Sequence, residues 1–228
     1  YNDDQGVLRY SIVTSGRRLT DEEVDQVCES IRKIKEETNI EVCFSFGLLK
    51  EEQLRKVREA GATRAHCNLE TSRRYFPEIC TTHTYDQKIE TLKAAVAAGL
   101  SICSGGIMGL GETLEDRVDM VLTVKELGVK SVPVNFLNPI PGTPYADNKP
   151  LTDEEARQCV AVFRFIIPDA SIRLAGGRGL LDDKGRECFQ SGANAAISGD
   201  MLTTAGITVQ KDMEMLKDLG YKPQLWED

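Results

Sequence analysis

The chain reads as an α/β protein, a TIM-type (β/α) barrel with about seven of the eight strand-helix units present. Three observations predict it. Short β-branched runs alternate with longer stretches of helical period along the whole 228 residues. Hydroxyl-capped helix starts and glycines at helix ends punctuate that alternation. Polar side chains recur toward the carboxyl ends of the strands, where barrels keep their reactive groups.

Taken in order, the candidate strands are residues 7–14, 40–46, 63–69, 101–107, 131–137, 170–175 and 193–199. Between and after them lie helical segments near 20–37, 50–60, 84–98, 113–127, 152–166, 182–190 and 208–219. Thr20 and Thr152 each stand three residues ahead of a glutamate, Glu23 and Glu155, the pattern of a capping box. Gly61, Gly99 and Gly128 follow helix ends. A complete barrel runs to about 250 residues, and the first strand begins almost at Tyr1. The expectation is a single domain over residues 1–228 whose first strand-helix unit is absent.

Composition narrows the function classes. The chain is 41% hydrophobic and 28% charged, enough for one sizeable core. Its formal net charge is -8 and it has no basic run, so nucleic acid is not an expected partner. No stretch approaches the roughly 20 apolar residues of a membrane span, and no charged-then-apolar leader is present. A soluble, cytoplasmic protein is expected. The seven cysteines lack the paired spacing of a disulfide framework, which suits a reduced compartment.

The strand ends carry Arg9 and Ser11, Cys43, then His66, Cys67, Asn68 and Glu70, then Cys103, Asn135, Asn138, Arg173 and Arg178. Buried polar groups need partners, so a run of them converging on one interior suggests a polar ligand or an inorganic cluster. Cys28, Cys80 and Cys159 read as small hydrophobes. For Cys43 and Cys103, mid-strand on different strands, a structural role and a ligand role both stand. Arg173 needs an anionic partner, because burying its charge alone costs several kcal/mol. Gly105 and Gly106 are expected to let a flat or bulky ligand approach the backbone. GGIMGLGET lacks the Lys-Ser/Thr of a phosphate loop, PIPGTP reads as a rigid turn, and His83 as a loop or helix-cap residue. No Ser-His-Asp set and no paired CxxC occur.

Six ordered motifs resemble the biotin synthases: HCNLETS at 66–72, TTHTYDQKIETL at 81–92, CSGGIMGLGET at 103–113, VPVNFLNPIPGTP at 132–144, RLAGGR at 173–178 and GANAAISGDMLTTAG at 192–206. These are radical S-adenosylmethionine enzymes on a TIM barrel, which insert sulfur between C6 and C9 of dethiobiotin. The resemblance implies that Cys43, Cys103 and the unusual ligand Arg173 hold an auxiliary iron-sulfur cluster that is the sulfur source, and so form the catalytic set. Thiolates are sound iron-sulfur ligands, and an anionic cluster answers the buried charge of Arg173. It further implies that Asn68 and Asn135 hydrogen-bond the ureido ring of dethiobiotin, and that Glu70 serves the ribose of S-adenosylmethionine. Lys88 falls where many members place an arginine facing the methionine carboxylate; it supplies the charge without the bidentate fork. Thr203 and Thr204 match hydroxyls near the substrate carboxylate. An electron donor such as flavodoxin or ferredoxin and a homodimer are also implied.

Two departures from the family pattern stand out. The CxxxCxxC loop that binds the [4Fe-4S] cluster cleaving S-adenosylmethionine is not in these 228 residues, so this chain alone is not expected to generate the radical. Ser11 occupies the place of a third cluster-ligating cysteine, which implies an auxiliary cluster of different nuclearity or ligand set. Cys67 is a candidate replacement: strict strand alternation turns it toward the helices, whereas a bulge or twist turns it inward. The rival expectations are another radical enzyme on the same barrel, such as a hydrogenase maturase or mutase, a silent small-molecule-binding barrel, and an aldolase-like barrel. No lysine at a strand end supports the last.

Overall fold

The computed structural model describes residues 1–199 and 206–225. In chain order the strands are β1 (Arg9–Val13), β2 (Glu41–Ser45), β3 (Arg64–His66), β4 (Ser101–Cys103), β5 (Gly106–Met108), β6 (Ser131–Phe136), β7 (Ser171–Leu174) and β8 (Ala195–Ala196). The helices are α1 (Asp21–Glu37), α2 (Glu51–Glu59), α3 (Phe76–Ile79), α4 (Tyr85–Ala97), α5 (Leu114–Glu126), α6 (Asp153–Ile166), α7 (Arg186–Gln190) and α8 (Val209–Asp218). Strand and helix alternate as expected, and the chain divides into two compact units.

The first unit, residues 1–68 and 82–103 with the tail from Pro223, contains β1 to β4 as parallel neighbours in that order. Register fixes which side chains share a face: Ser11 pairs with Cys43, Cys43 with Arg64, Arg64 with Ser101, and His66 with Cys103. Since side chains alternate along a strand, these residues lie on one polar face. The opposite face is apolar, with Val42, Phe44, Ala65 and Ile102 buried. Helices α1, α2 and α4 bury Val24, Cys28 and Ile31, Leu54 and Val57, and Leu92 and Ala95. Each valine, leucine and isoleucine among these contributes about 1.5–3 kcal/mol when fully buried.

The second unit, residues 69–81 and 104–222, repeats the division. Here β5 lies beside β6, β6 beside β7 and β7 beside β8, all parallel. Val132, Val134, Phe136, Ile172 and Leu174 are buried on one face and alternate with Ser131, Asn135, Ser171 and Arg173 on the other. A strand of a fully covered parallel sheet normally reads as continuously apolar. The alternation therefore marks a polar interior side in each unit.

Helix starts follow the sequence closely. Thr20 and Thr152 form capping boxes with Glu23 and Glu155, and the structure adds two more, Thr84 with Gln87 and Thr113 with Asp116. Gly61, Gly99 and Gly128 adopt φ of +112°, +79° and +71°, left-handed values that let the chain leave each helix. The PIPGTP segment turns where the Thr143 N–H and hydroxyl donate to Ile140 O.

Four expectations require correction. The strand 101–107 is two strands, because the chain breaks step at Ser104 and Gly105: Ser104 N–H donates to Ser131 O, and Gly105 O accepts from Glu70. Second, on the side where a Cβ would project, what approaches these glycines is the protein's own backbone. A Cβ on Gly105 would stand 2.0 Å from Pro133 O, and one on Gly106 2.3 Å from Glu70 O. Third, the helix expected over 182–190 begins only at Arg186, since Lys184 and Gly185 have φ of +58° and +88° and Asp183 accepts from the N–H groups of Gly185 and Glu187. Fourth, the strand 193–199 shortens to Ala195–Ala196, and helix α3 was not foreseen.

Candidate active site

On the first unit's polar face, β2 presents Cys43, 8% exposed, and β4 presents Cys103, 3% exposed. The ring nitrogen Nδ1 of His66 lies 3.3 Å from Cys103 Sγ. Ser11 is the register partner of Cys43. Arg64 is 2% exposed and donates Nε to Ser101 Oγ at 3.0 Å. Cys67 is buried immediately past β3, and its N–H donates to Cys103 O at 3.0 Å. Because β3 ends at His66, strand alternation does not extend to Cys67. Asn68 follows, half-buried, and Lys88 is half-buried in the first turns of α4.

The other thiols behave as packing groups. Burial pushes the Cys28 thiol up, and does the same for Cys159 against the pull of Arg117, whose Nη1 stands 3.2 Å from its sulfur. Burial pushes Cys188 up to about 12. Such thiols stay protonated and unreactive. No disulfide forms among the seven cysteines.

In the second unit, Glu70 is held in a left-handed conformation, φ +70°, that side chains rarely adopt. Its backbone is pinned on both sides: Glu70 N–H donates to Gly105 O at 3.0 Å, and Glu70 O accepts from Ile107 at 2.9 Å. A conformation of this kind costs roughly 1–3 kcal/mol and persists where surroundings over-determine it. The loop beyond it is tied to α5. Ser72 Oγ donates to Asp116 Oδ1 at 2.5 Å, Arg74 Nη2 to Asp116 Oδ2 at 2.5 Å, and Thr113 N–H and Oγ1 donate to the same Oδ2.

Asp116 has a pH consequence. Burial opposes its ionisation, but the hydrogen bonds from Ser72 and Thr113 and the nearby Arg74 charge outweigh it and hold the carboxyl at about 2. With a folded value below the ordinary value of about 3.9, its stabilisation is complete above about pH 4 and is lost as pH falls toward about 2. Urea unfolding from pH 5 to pH 2 should lose about 2 kcal/mol more in the wild-type chain than in Asp116→Asn; equal pH slopes in the two proteins would refute it.

Asn135 on β6 bridges two strand ends. Its Nδ2 donates to Gly106 O at 3.0 Å, and its Oδ1 accepts the Gly176 N–H at 2.9 Å. A primary amide has two donor hydrogens and two acceptor lone pairs, so one of each remains. Arg173 is half-buried on β7, in register with Pro133 and Ala195. The strand-end reading of Arg178 is corrected: it lies in a 3₁₀ turn, Arg178–Leu180, and is buried in an ion pair with Asp212 of α8, 2.6 Å from its carboxylate. Its charge is spent on holding that helix. His83 sits in the loop before α4, 3.0 Å from Thr82 Oγ1. Thr203 and Thr204 lie outside the described residues.

Two features escaped sequence reasoning. Arg64, at the start of β3, carries the same signal that singled out Arg173. Asp116 was hidden because a capping box with aspartate in place of glutamate looks like an ordinary acidic first turn.

The donor chemistry of the first unit's polar face suits an iron-sulfur group: buried, soft thiols on β2 and β4, the two strands that flank β3. Among the described residues, no three His, Cys, Asp or Glu side chains converge as a single-ion site.

Comparison with known proteins assigns the class and then the family. Residues 1–124 match the family model of the radical SAM superfamily, and residues 133–222 that of the Biotin and Thiamin Synthesis associated domain. Among solved structures, the chain superposes on methylornithine synthase with a TM-score of 0.82 at 19% identity, covering 96% of this chain and 69% of that one. An FeFe-hydrogenase maturase from Carboxydothermus hydrogenoformans gives 0.79 at 17% identity, covering 98% and 57%. These likenesses establish the fold, and the chain is a radical S-adenosylmethionine protein of barrel type. Its sequence is 59% identical to biotin synthase of Akkermansia muciniphila, over 99% of this chain and 70% of that protein. It is 61% identical to biotin synthase 2 of Corynebacterium diphtheriae, over 96% of this chain and 67% of that protein. The chain belongs to the biotin synthase family. No helix among the described residues is long and apolar enough to cross a membrane.

Proposed function

We propose that this chain serves the sulfur-insertion reaction of biotin synthases, converting dethiobiotin to biotin, with Cys43, Cys103 and Arg173 binding an auxiliary iron-sulfur cluster. The observation that carries this reading is the pair of buried thiols Cys43 and Cys103 on one polar face of a parallel sheet whose other face is apolar. When bound, S-adenosylmethionine supplies the hydrogen-abstracting radical and the auxiliary cluster supplies the sulfur. The chain's own residues bind, orient and exclude water. Glu70, set by its pinned backbone, and Lys88 hold S-adenosylmethionine through ribose and carboxylate. Asn68 and Asn135 hold the ureido ring, and Thr203 and Thr204 the substrate carboxylate. The CxxxCxxC ligands for a [4Fe-4S] cluster are not among these residues. A flavodoxin- or ferredoxin-like reductant, a homodimer and a cytoplasmic setting belong to the same proposal.

Asn135 offers the direct test on substrate. Its remaining donor and acceptor match the N–H and C=O of a ureido ring, and leaving a buried hydrogen bond unmade costs about 1–3 kcal/mol. Calorimetric titration with dethiobiotin should show Asn135→Ala binding about tenfold more weakly than wild type. Unchanged affinity in the folded variant sinks the assignment of Asn135, and absence of dethiobiotin binding by the wild-type chain sinks the substrate.

A further inference from the structure

The polar face of the first unit holds a cation that no role above uses. Arg64 is among the largest fully buried side chains of the protein. It stands on β3 in register with Cys43 on one side and Ser101 on the other, and adjacent strands lie about 4.8 Å apart. Its Nε is committed to Ser101 Oγ at 3.0 Å, which fixes the guanidinium stem against β4. Cys103 is two residues beyond Ser101 on the same face, with His66 beside it. A permanent positive charge is thus built in directly across from one thiol and one pleat away from the other.

We propose that Arg64 is a positioning residue for the anionic iron-sulfur group held by Cys43 and Cys103, neutralising part of its charge and raising its reduction potential. The proposal rests on the site reading above and deepens it. Arginine keeps its charge at any working pH. Cluster potentials respond to net local charge and hydrogen bonding, and Coulomb interactions strengthen where water is excluded. Burying a guanidinium costs several kcal/mol, which an anionic sulfur group on the neighbouring strand offsets in part.

The test is anaerobic reconstitution of the 228-residue chain with ferrous iron and sulfide, followed by a dye-mediated redox titration. Wild type is compared with Arg64→Met, which keeps bulk without charge, and Arg64→Lys, which keeps charge. R64M should show a reduced-to-oxidised ratio about tenfold lower at a given potential, a negative shift of about 59 mV for one electron. R64K should stay close to wild type. Equal potentials in R64M and wild type at equal iron content overturn the proposal, and so does R64K behaving as R64M, since the charge would then not be what matters. If R64M fails to fold by circular dichroism, Ser101→Ala decides: it keeps the charge but frees the stem, and an unchanged potential overturns the assignment. A wild-type chain that takes up no iron or sulfide overturns the site reading itself, an outcome visible before any Arg64 variant is made.

Discussion

Alanine at Gly105 or Gly106 leaves little folded protein. At Gly105 the new Cβ would sit 2.0 Å from Pro133 O and 3.0 Å from its carbonyl carbon, where only backbone can give way. At Gly106 it would meet Glu70 O and Met120 Sδ, each at 2.3 Å. Relief at Gly106 means pushing away a carbonyl that accepts the Ile107 N–H at 2.9 Å, so the clash also costs a ladder hydrogen bond. Losses above about 4 kcal/mol are exceptional for a single substitution and would remove much of a typical stability of about 5–15 kcal/mol. Gly142→Ala is the control: its φ is +83° but nothing lies within 4 Å, so only backbone strain of about 1–2 kcal/mol is added. Urea midpoints and soluble yield should rank G142A near wild type and G105A and G106A far below it. A G105A protein with a wild-type midpoint would mean that Gly105 and Pro133 of β6 do not pass as closely as described.

That pair of glycines also marks where sequence legibility ends. Strands β1, β2, β6 and β7 and helices α1, α2, α4, α5 and α6 fall within two residues of their expected bounds, because periodicity and hydroxyl caps are local signals. The break between β4 and β5 is set by Pro133 and Glu70, partners distant in sequence, so no local pattern announces it. The same holds at α7, where Asp183 draws the chain into left-handed turns that its helical composition does not suggest. Among the candidate residues, Cys43 and Cys103 of the first unit and Asn135 and Arg173 of the second are legible in the sequence as polar residues in otherwise apolar strands. Arg178 carried the same signal and turned out to be paired with Asp212, which only the fold brings near. A buried charge in a sequence says that a counter-charge exists, not whether it is ligand or protein.

Iron and acid-labile sulfide retention should collapse in Cys43→Ala and in Cys103→Ala, and persist in Cys28→Ala. The seven thiols are chemically equivalent in composition but not in placement. Cys28 lies on α1 between Val24 and Ile31, where burial keeps it protonated and the surroundings are aliphatic. Cys43 and Cys103 instead share a polar face with Arg64 and His66, where an anionic sulfur group would find a cation beside it. Reconstituted chains assayed for iron and sulfide should therefore show near-complete loss in the two strand variants and wild-type content in C28A. Equal retention in all three would place the cluster elsewhere or nowhere. Cys67→Ala adds a second decision. Its sulfur-bearing residue is fastened through its N–H to the carbonyl of Cys103, while Ser11 faces Cys43 from the exposed strand β1. A serine hydroxyl is a hard donor and a poor substitute for thiolate. If C67A loses iron as C43A does, Cys67 supplies the ligand that Ser11 cannot; if C67A keeps its iron, Cys67 is not a ligand.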